Sequence, residues 1–258
     1  MRKGSLWRFW ANLATTGNGL CGVGSIAYTL LGNKLFGLFL ILAGMGFDGL
    51  DGLLSRRSAL PGGAAGRIAD SISDGITFCL APAAAVALDN YPLGLWDPWR
   101  GVALGVGIAL AAVGLLRLTL YTTRGWRRGY FLGASTPQNA LVLLVLVPLF
   151  QYPGFVMMSP PSLLLGVAIF VPVMVLPVPY PKVRRGSPLR GFTAVLSGLV
   201  ALEIILANLR PVPGSALYLA AYALTVTSLL LLVGLYVGGP FALGQARSAS
   251  PRGGNPHA

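Results

Sequence analysis

Four of the seven acidic residues in this chain fall between positions 48 and 74. The stretch reads Asp48-Gly49-Leu50-Asp51-Gly52-Leu53-Leu54-Ser55-Arg56, then a Pro/Gly/Ala-rich turn. It resumes as Gly66-Arg67-Ile68-Ala69-Asp70-Ser71-Ile72-Ser73-Asp74, and long apolar runs flank it on both sides. A carboxylate inside a membrane helix costs about 2.5–3.5 kcal/mol on insertion scales, so four without partners would cost on the order of 10 kcal/mol. A bound divalent cation is the natural partner. Asp48 and Asp51 are three apart and Asp70 and Asp74 four apart, so each pair shares one helix face. All four offer oxygen, with no His or Cys beside them, which suits Mg²⁺ or Mn²⁺. Two ions could share the four carboxylates. Gly49, Gly52 and Gly66 remove side chains where a ligand or a second helix comes close. Arg56 brings a planar donor suited to phosphate. A purely structural pairing of these acids with loop arginines is the competing reading, but it leaves much charge at a membrane end.

The elements that must position these groups are apolar helices. The chain has 258 residues, 55% of them hydrophobic and 10% charged, with a mean hydropathy of +0.72. That composition excludes an ordinary soluble domain and indicates an all-α polytopic membrane protein. Residues 1–12, with Trp7, Phe9 and Trp10 beside Arg8, read as a short interfacial segment. Residues 13–237 read as the membrane domain, with about eight spans near 13–32, 35–52, 67–88, 101–122, 137–152, 162–179, 191–209 and 215–237. Gly32-Asn33-Lys34 reads as a tight turn, and 55–67 as a loop between antiparallel neighbours. Residues 238–258 read as a polar, disordered tail. Met1-Arg2-Lys3 before an apolar run resembles a signal peptide, but without a small-x-small cleavage site it reads as a retained first helix.

The net charge of +12 is confined to short loops. With eight spans, fifteen of the nineteen Lys and Arg residues fall on one side, together with both termini and the acidic motif. The positive-inside rule makes that side cytoplasmic and the protein multi-pass in the cell membrane. No nucleic-acid motif is present, so the charge reads as topology. Cys21 and Cys79 read as small buried thiols. His257 in the tail is assigned no role. Glu203, inside the seventh span, is expected to hydrogen-bond a neighbouring helix.

The acidic stretch resembles the signature of the CDP-alcohol phosphotransferases, Asp-x2-Asp-Gly-x2-Ala-Arg-x8-Gly-x3-Asp-x3-Asp. Asp48, Asp51, Gly52, Arg56, Gly66, Asp70 and Asp74 match it. Ser55 stands where the family has Ala, and one extra residue falls in the loop beside Pro61-Gly62-Gly63. Further residues resemble the phosphatidylserine synthase branch: Thr16 to Gly22, then Phe78, Ala81 and Pro82, Leu116-Arg117-Leu118, Tyr130-Phe131 with Gly133, and Met174 with Tyr180-Pro181. Ala134-Ser135-Thr136-Pro137 departs from that branch's Leu-Pro-x-Pro. The resemblance implies transfer of a phosphatidyl group from CDP-diacylglycerol to a small alcohol, L-serine above all, with release of CMP. It implies Asp48, Asp51 and Asp70 as metal ligands, and Asp74 as general base and possible ligand. Gly52, Ser55, Arg56 and Gly66 are implied at the CDP-lipid site, and a homodimer is implied as the assembly. Serine carries a carboxylate; the intramembrane Arg117 is the first candidate to meet it, with Lys182 and Arg184 behind. Glycerol 3-phosphate or inositol phosphate as acceptor is the nearest alternative, and the arginines at 124, 127 and 128 suit it. A divalent-cation transporter is the reading from another class. Transport sites sit near the bilayer midplane on broken helices, whereas these acids lie at helix ends beside a basic loop.

Overall fold

The computed structural model describes residues 3–58, 63–88, 97–124, 130–132, 136–149, 160–173, 179–181, 188–209 and 212–248. Helix α1 (Lys3–Leu30) turns back into α2 (Lys34–Ser58), and the two pack along each other more extensively than any other pair of described elements. The turn falls where the sequence puts it. Gly32 adopts φ +80°, its N–H donates to Thr29 O at 3.0 Å, and Asn33 N–H donates to Tyr28 O at 2.8 Å. A left-handed residue just past the last turn is a common helix terminator and favours glycine. The Asn33 side chain then accepts from Phe36 N–H at 3.3 Å and caps the start of α2.

The chain continues as α3 (Ala64–Asp74), a π-helical segment (Gly75–Leu80) and α4 (Ala81–Ala87). Helix α5 (Arg100–Arg124) packs back on α4, and at Gly107 an added Cβ would come within 2.7 Å of the Ala87 Cβ. Helix α6 (Thr136–Leu149) is the centre of the bundle. Its residues from Ala140 to Leu146 are all buried, as expected of a helix that is apolar all round. Pro137 sits in its first turn, where a missing N–H costs nothing. Helices α7 (Pro160–Val173), α8 (Pro188–Asn208) and α9 (Ala216–Ser248) surround it. Strands β1 (Tyr130–Leu132) and β2 (Pro179–Pro181) pair antiparallel, with Phe131 opposite Tyr180.

Several sequence expectations are corrected here. Helix α1 runs unbroken from Lys3 to Leu30, across the expected division between residues 12 and 13. Nothing between Asn12 and Leu13 breaks a helix, and Thr16 returns its hydroxyl to the Asn12 carbonyl one turn back. The loop at 55–67 shrinks at both ends, since α2 reaches Ser58 and α3 starts at Ala64. The sixth span does not reach 179. Pro172, Pro177, Pro179 and Pro181 remove helix donors, and residues 179–181 are a strand instead. The last helix runs past 237 to Ser248, because apolar Phe241-Ala242-Leu243 and the helix formers after them follow the Gly-Gly-Pro.

Against the expected eight spans, three described helices are long and apolar enough to cross a bilayer: Lys34–Ser58, Arg100–Leu120 and Ala216–Leu235. Val195–Asn208 is a shorter apolar stretch. With 28 residues α1 has the length but not the apolarity, because polar side chains recur along it.

Candidate active site

The site is built where α1, α2 and α3 meet. Close approach is secured by glycines. A Cβ on Gly22 would lie 2.8 Å from the backbone N and Cα of Thr77, and one on Gly44 would lie 2.6 Å from Thr77 Cγ2. Thr77 is therefore wedged between α1 and α2, and its hydroxyl donates to Asn18 O at 2.8 Å. That bond fixes the π-helical segment against α1, one turn past Asp74. Segments of π-helix occur often at functional sites, where one extra residue re-aims a side chain.

Asp48 on α2 and Asp70 and Asp74 on α3 converge. Each is half-buried, and each brings a carboxylate oxygen to within 4.8 Å of the other two. Asp51 stands beside Asp70 but outside that group of three. It accepts a hydrogen bond from the Thr15 hydroxyl of α1, while Asn18 Nδ2 donates to Asp74 at 2.9 Å. Three mutually close carboxylates are a hard-oxygen donor set, and the repulsion between like charges so near one another is relieved by a cation or a proton between them. The donor set fits a divalent cation such as Mg²⁺ or Mn²⁺.

Beside the carboxylates lies a cavity of about 310 Å³. Asp51, Asp70, Ser55, Arg56 and Gly66 line it, as do Arg8, Asn12 and Thr15 from α1 and Arg67 from α3. Gly52 is set behind Arg56: a Cβ there would lie 3.6–3.9 Å from the guanidinium. Thus Ser55, Arg56 and Gly66 share one cavity, and Gly52 lies beside the Arg56 head group. A Cβ on Gly49 would meet nothing within 4 Å.

Arg117 is buried on α5, and the same turn of α5 places Leu115 and Leu118 against Gly75, the residue after Asp74. This turn of α5 therefore packs beside the end of α3 that carries Asp74. Lys182 and Arg184 lie outside the described residues. The α1 wall of the cavity was missed from sequence. Its signal was the spacing Arg8, Asn12, Thr15, four and then three apart, a polar stripe on one face of an otherwise apolar helix.

Three guanidiniums and two carboxylates around one cavity at the edge of an apolar bundle make a place where a phosphorylated head group can bind while its apolar part stays in lipid. The chain matches the CDP-alcohol phosphatidyltransferase family over residues 8–178, more than half of its length. It belongs to that family of membrane phosphotransferases, which move a phosphatidyl group from a CDP-alcohol. A search among curated proteins finds no match.

Proposed function

We propose that this protein transfers the phosphatidyl group of CDP-diacylglycerol to the hydroxyl of L-serine, giving phosphatidylserine and CMP. The observation that carries the reading is the convergence of Asp48, Asp70 and Asp74 beside the cavity that Arg56 and Gly66 line.

In this reading the cavity holds the cytidine diphosphate, and the acyl chains remain in the bilayer. Arg56 pairs with phosphate oxygen, and Gly66 leaves room for the nucleotide. Asp48, Asp51, Asp70 and Asp74 would hold one or two divalent cations, Asp51 by turning from Thr15. Bound there, Mg²⁺ or Mn²⁺ would neutralise the diphosphate and the charge that develops on departing CMP. The acceptor oxygen attacks the lipid-linked phosphorus, the bond from that phosphorus to the CMP oxygen breaks, and the hydroxyl proton passes to Asp74. Asn18, donating to Asp74, keeps that carboxylate oriented. Arg117 meets the carboxylate of serine from the α5 side.

Serine is favoured by the resemblance of Thr16–Gly22 and of Leu116-Arg117-Leu118 to the phosphatidylserine synthase branch. A phosphorylated acceptor is the second reading. Basic side chains at Arg124, Arg127 and Arg128 suit it. About eight spans, a cytoplasmic site with both termini on that side, the cell membrane and a homodimer belong to the same proposal.

The test is CMP release by purified protein from CDP-diacylglycerol with Mg²⁺ or Mn²⁺. Serine, glycerol 3-phosphate and inositol phosphate are offered separately. Release that depends on serine and is lost in Asp74→Asn supports the reading. Release with another acceptor moves the assignment to that acceptor. No release from folded protein with any acceptor or metal returns the transporter reading.

A further inference from the structure

The cavity has a wall that the acidic motif does not supply. Because α1 is unbroken, its N-terminal turns carry Arg8, Asn12 and Thr15 down one side of the space between α2 and α3. The head group of Arg8 lies across the bare backbone that opens α3. A Cβ on Gly63 would lie 3.5 Å from Arg8 Nη2, and one on Gly66 would lie 3.9 Å from it. The next residue back, Trp7, stacks under Arg57 at 5.5 Å from its ring centroid and ties this end of α1 to the last turn of α2. This contact anchors the end of α1 that carries Arg8 beside the cavity. With Arg56 and Arg67 it gives the cavity three guanidiniums against the carboxylates of Asp51 and Asp70.

A planar guanidinium beside glycine backbone, in a cavity that two further guanidiniums line, is matched by a phosphate, whose oxygens take paired N–H donors. At about 310 Å³ the space is at the small end for a ligand pocket, enough for a polar head group but not for lipid chains. We propose that Arg8 is a donor-binding residue: its guanidinium binds a phosphate oxygen of the cytidine diphosphate, so the first helix helps to set affinity for the nucleotide. The proposal rests on the donor reading given above.

The experiment measures binding of CMP, CDP and cytidine to the full-length protein in detergent with Mg²⁺, by competition against one labelled nucleotide. Arg8→Gln is expected to weaken CMP and CDP by about 10- to 100-fold, as for loss of a charge-assisted hydrogen bond. Cytidine, which lacks phosphate, should bind Arg8→Gln as it binds the wild type. Arg8→Lys keeps the charge without the fork and should fall in between; it also serves if the glutamine variant does not fold. Equal weakening of CMP and cytidine would make Arg8 a structural residue and overturn the proposal. Unchanged CMP binding in both variants would do the same while leaving the donor reading intact. If the wild type binds none of the three ligands, the donor reading itself falls and takes this proposal with it.

Discussion

Two regions of this molecule bury acid among apolar helices, and they are built in opposite ways. Where α1, α2 and α3 meet, four carboxylates crowd together, half-buried, beside a cavity edged by guanidiniums and glycines. Between α8 and α9 a single carboxylate, Glu203, is fully buried. It faces the hydroxyls of Thr225 and Ser228 without completing a hydrogen bond of good geometry to either, and Thr225 gives its proton to Ala221 O at 3.0 Å. The first region concentrates charge where a ligand can come and neutralise it. The second sets one group in the packed space between two helices. Depth of burial is one difference; number, spacing and a neighbouring cavity are the others. The family match, which ends at residue 178, includes the first region and leaves out the second.

The largest expected effect tests the claim that the clustered acids do the chemistry. Asp70→Asn, or Asp48→Asn, keeps the shape of the side chain and removes one charge from the set of three. Loss of one preorganised charge-stabilising group costs about 10²–10³ in rate, so CMP release should fall at least that far while thermal stability holds. An aspartate variant that kept most of its activity would dissolve the contrast at its functional end.

Asn18 is the next. Its amide donates to Asp74, and the backbone carbonyl of the same residue accepts from Thr77, so it links Asp74 to the π-helical segment. Asn18→Ala leaves Asp74 without that donor. Groups that orient a metal ligand typically account for about 10- to 100-fold in activity or metal affinity, and the same loss is expected in CMP release. The Mn²⁺ dependence of the rate should shift with it, which a merely structural role would not produce.

A smaller effect, on stability first, is expected at Gly22. An alanine there would place its Cβ 2.8 Å from the backbone of Thr77, and a helix cannot yield to that without moving. Overpacking of this kind costs about 1–3 kcal/mol, to be read as a lower midpoint of thermal unfolding in detergent. Gly49, where a Cβ meets nothing within 4 Å, is the control and should accept alanine with little change in stability.

That Asp70 and Asp74 lie together was legible from their spacing of four, because helix periodicity decides it. That Asp51 turns to Thr15, leaving three acids in closest company, was not legible, because it depends on how α1 lies across α2. The wall made by Arg8 and Asn12 was hidden for a different reason. Tryptophans near an N-terminus suggest an interfacial segment, and that suggestion outweighed a polar stripe of helical period. The tight turn at Gly32-Asn33 was legible since its residues carry their own conformational preference. The π-helical segment and the β1–β2 pair were not, because a register defect and a long-range pairing leave little local trace. The ends of α7 and α9 were misjudged where prolines and glycines give conflicting signals.

The smallest effect is expected at Glu203, and it bears on the other half of the contrast. If this carboxyl only fills space between α8 and α9, then Glu203→Gln should release CMP at close to the wild-type rate, with stability changed by less than about 1 kcal/mol. Glu203→Met goes further. It removes both oxygens, which among the described residues find no hydrogen-bond partner, and keeps the length of the chain. Replacing a poorly satisfied buried polar group with an apolar one of similar shape is often neutral or stabilising, so the unfolding midpoint of this variant should hold or rise. The outcome that breaks the comparison is loss of CMP release in Glu203→Gln at an unchanged midpoint. An isolated acid, remote in sequence from the motif, would then be coupled to the reaction, and cavity access would no longer tell a working carboxylate from a buried one.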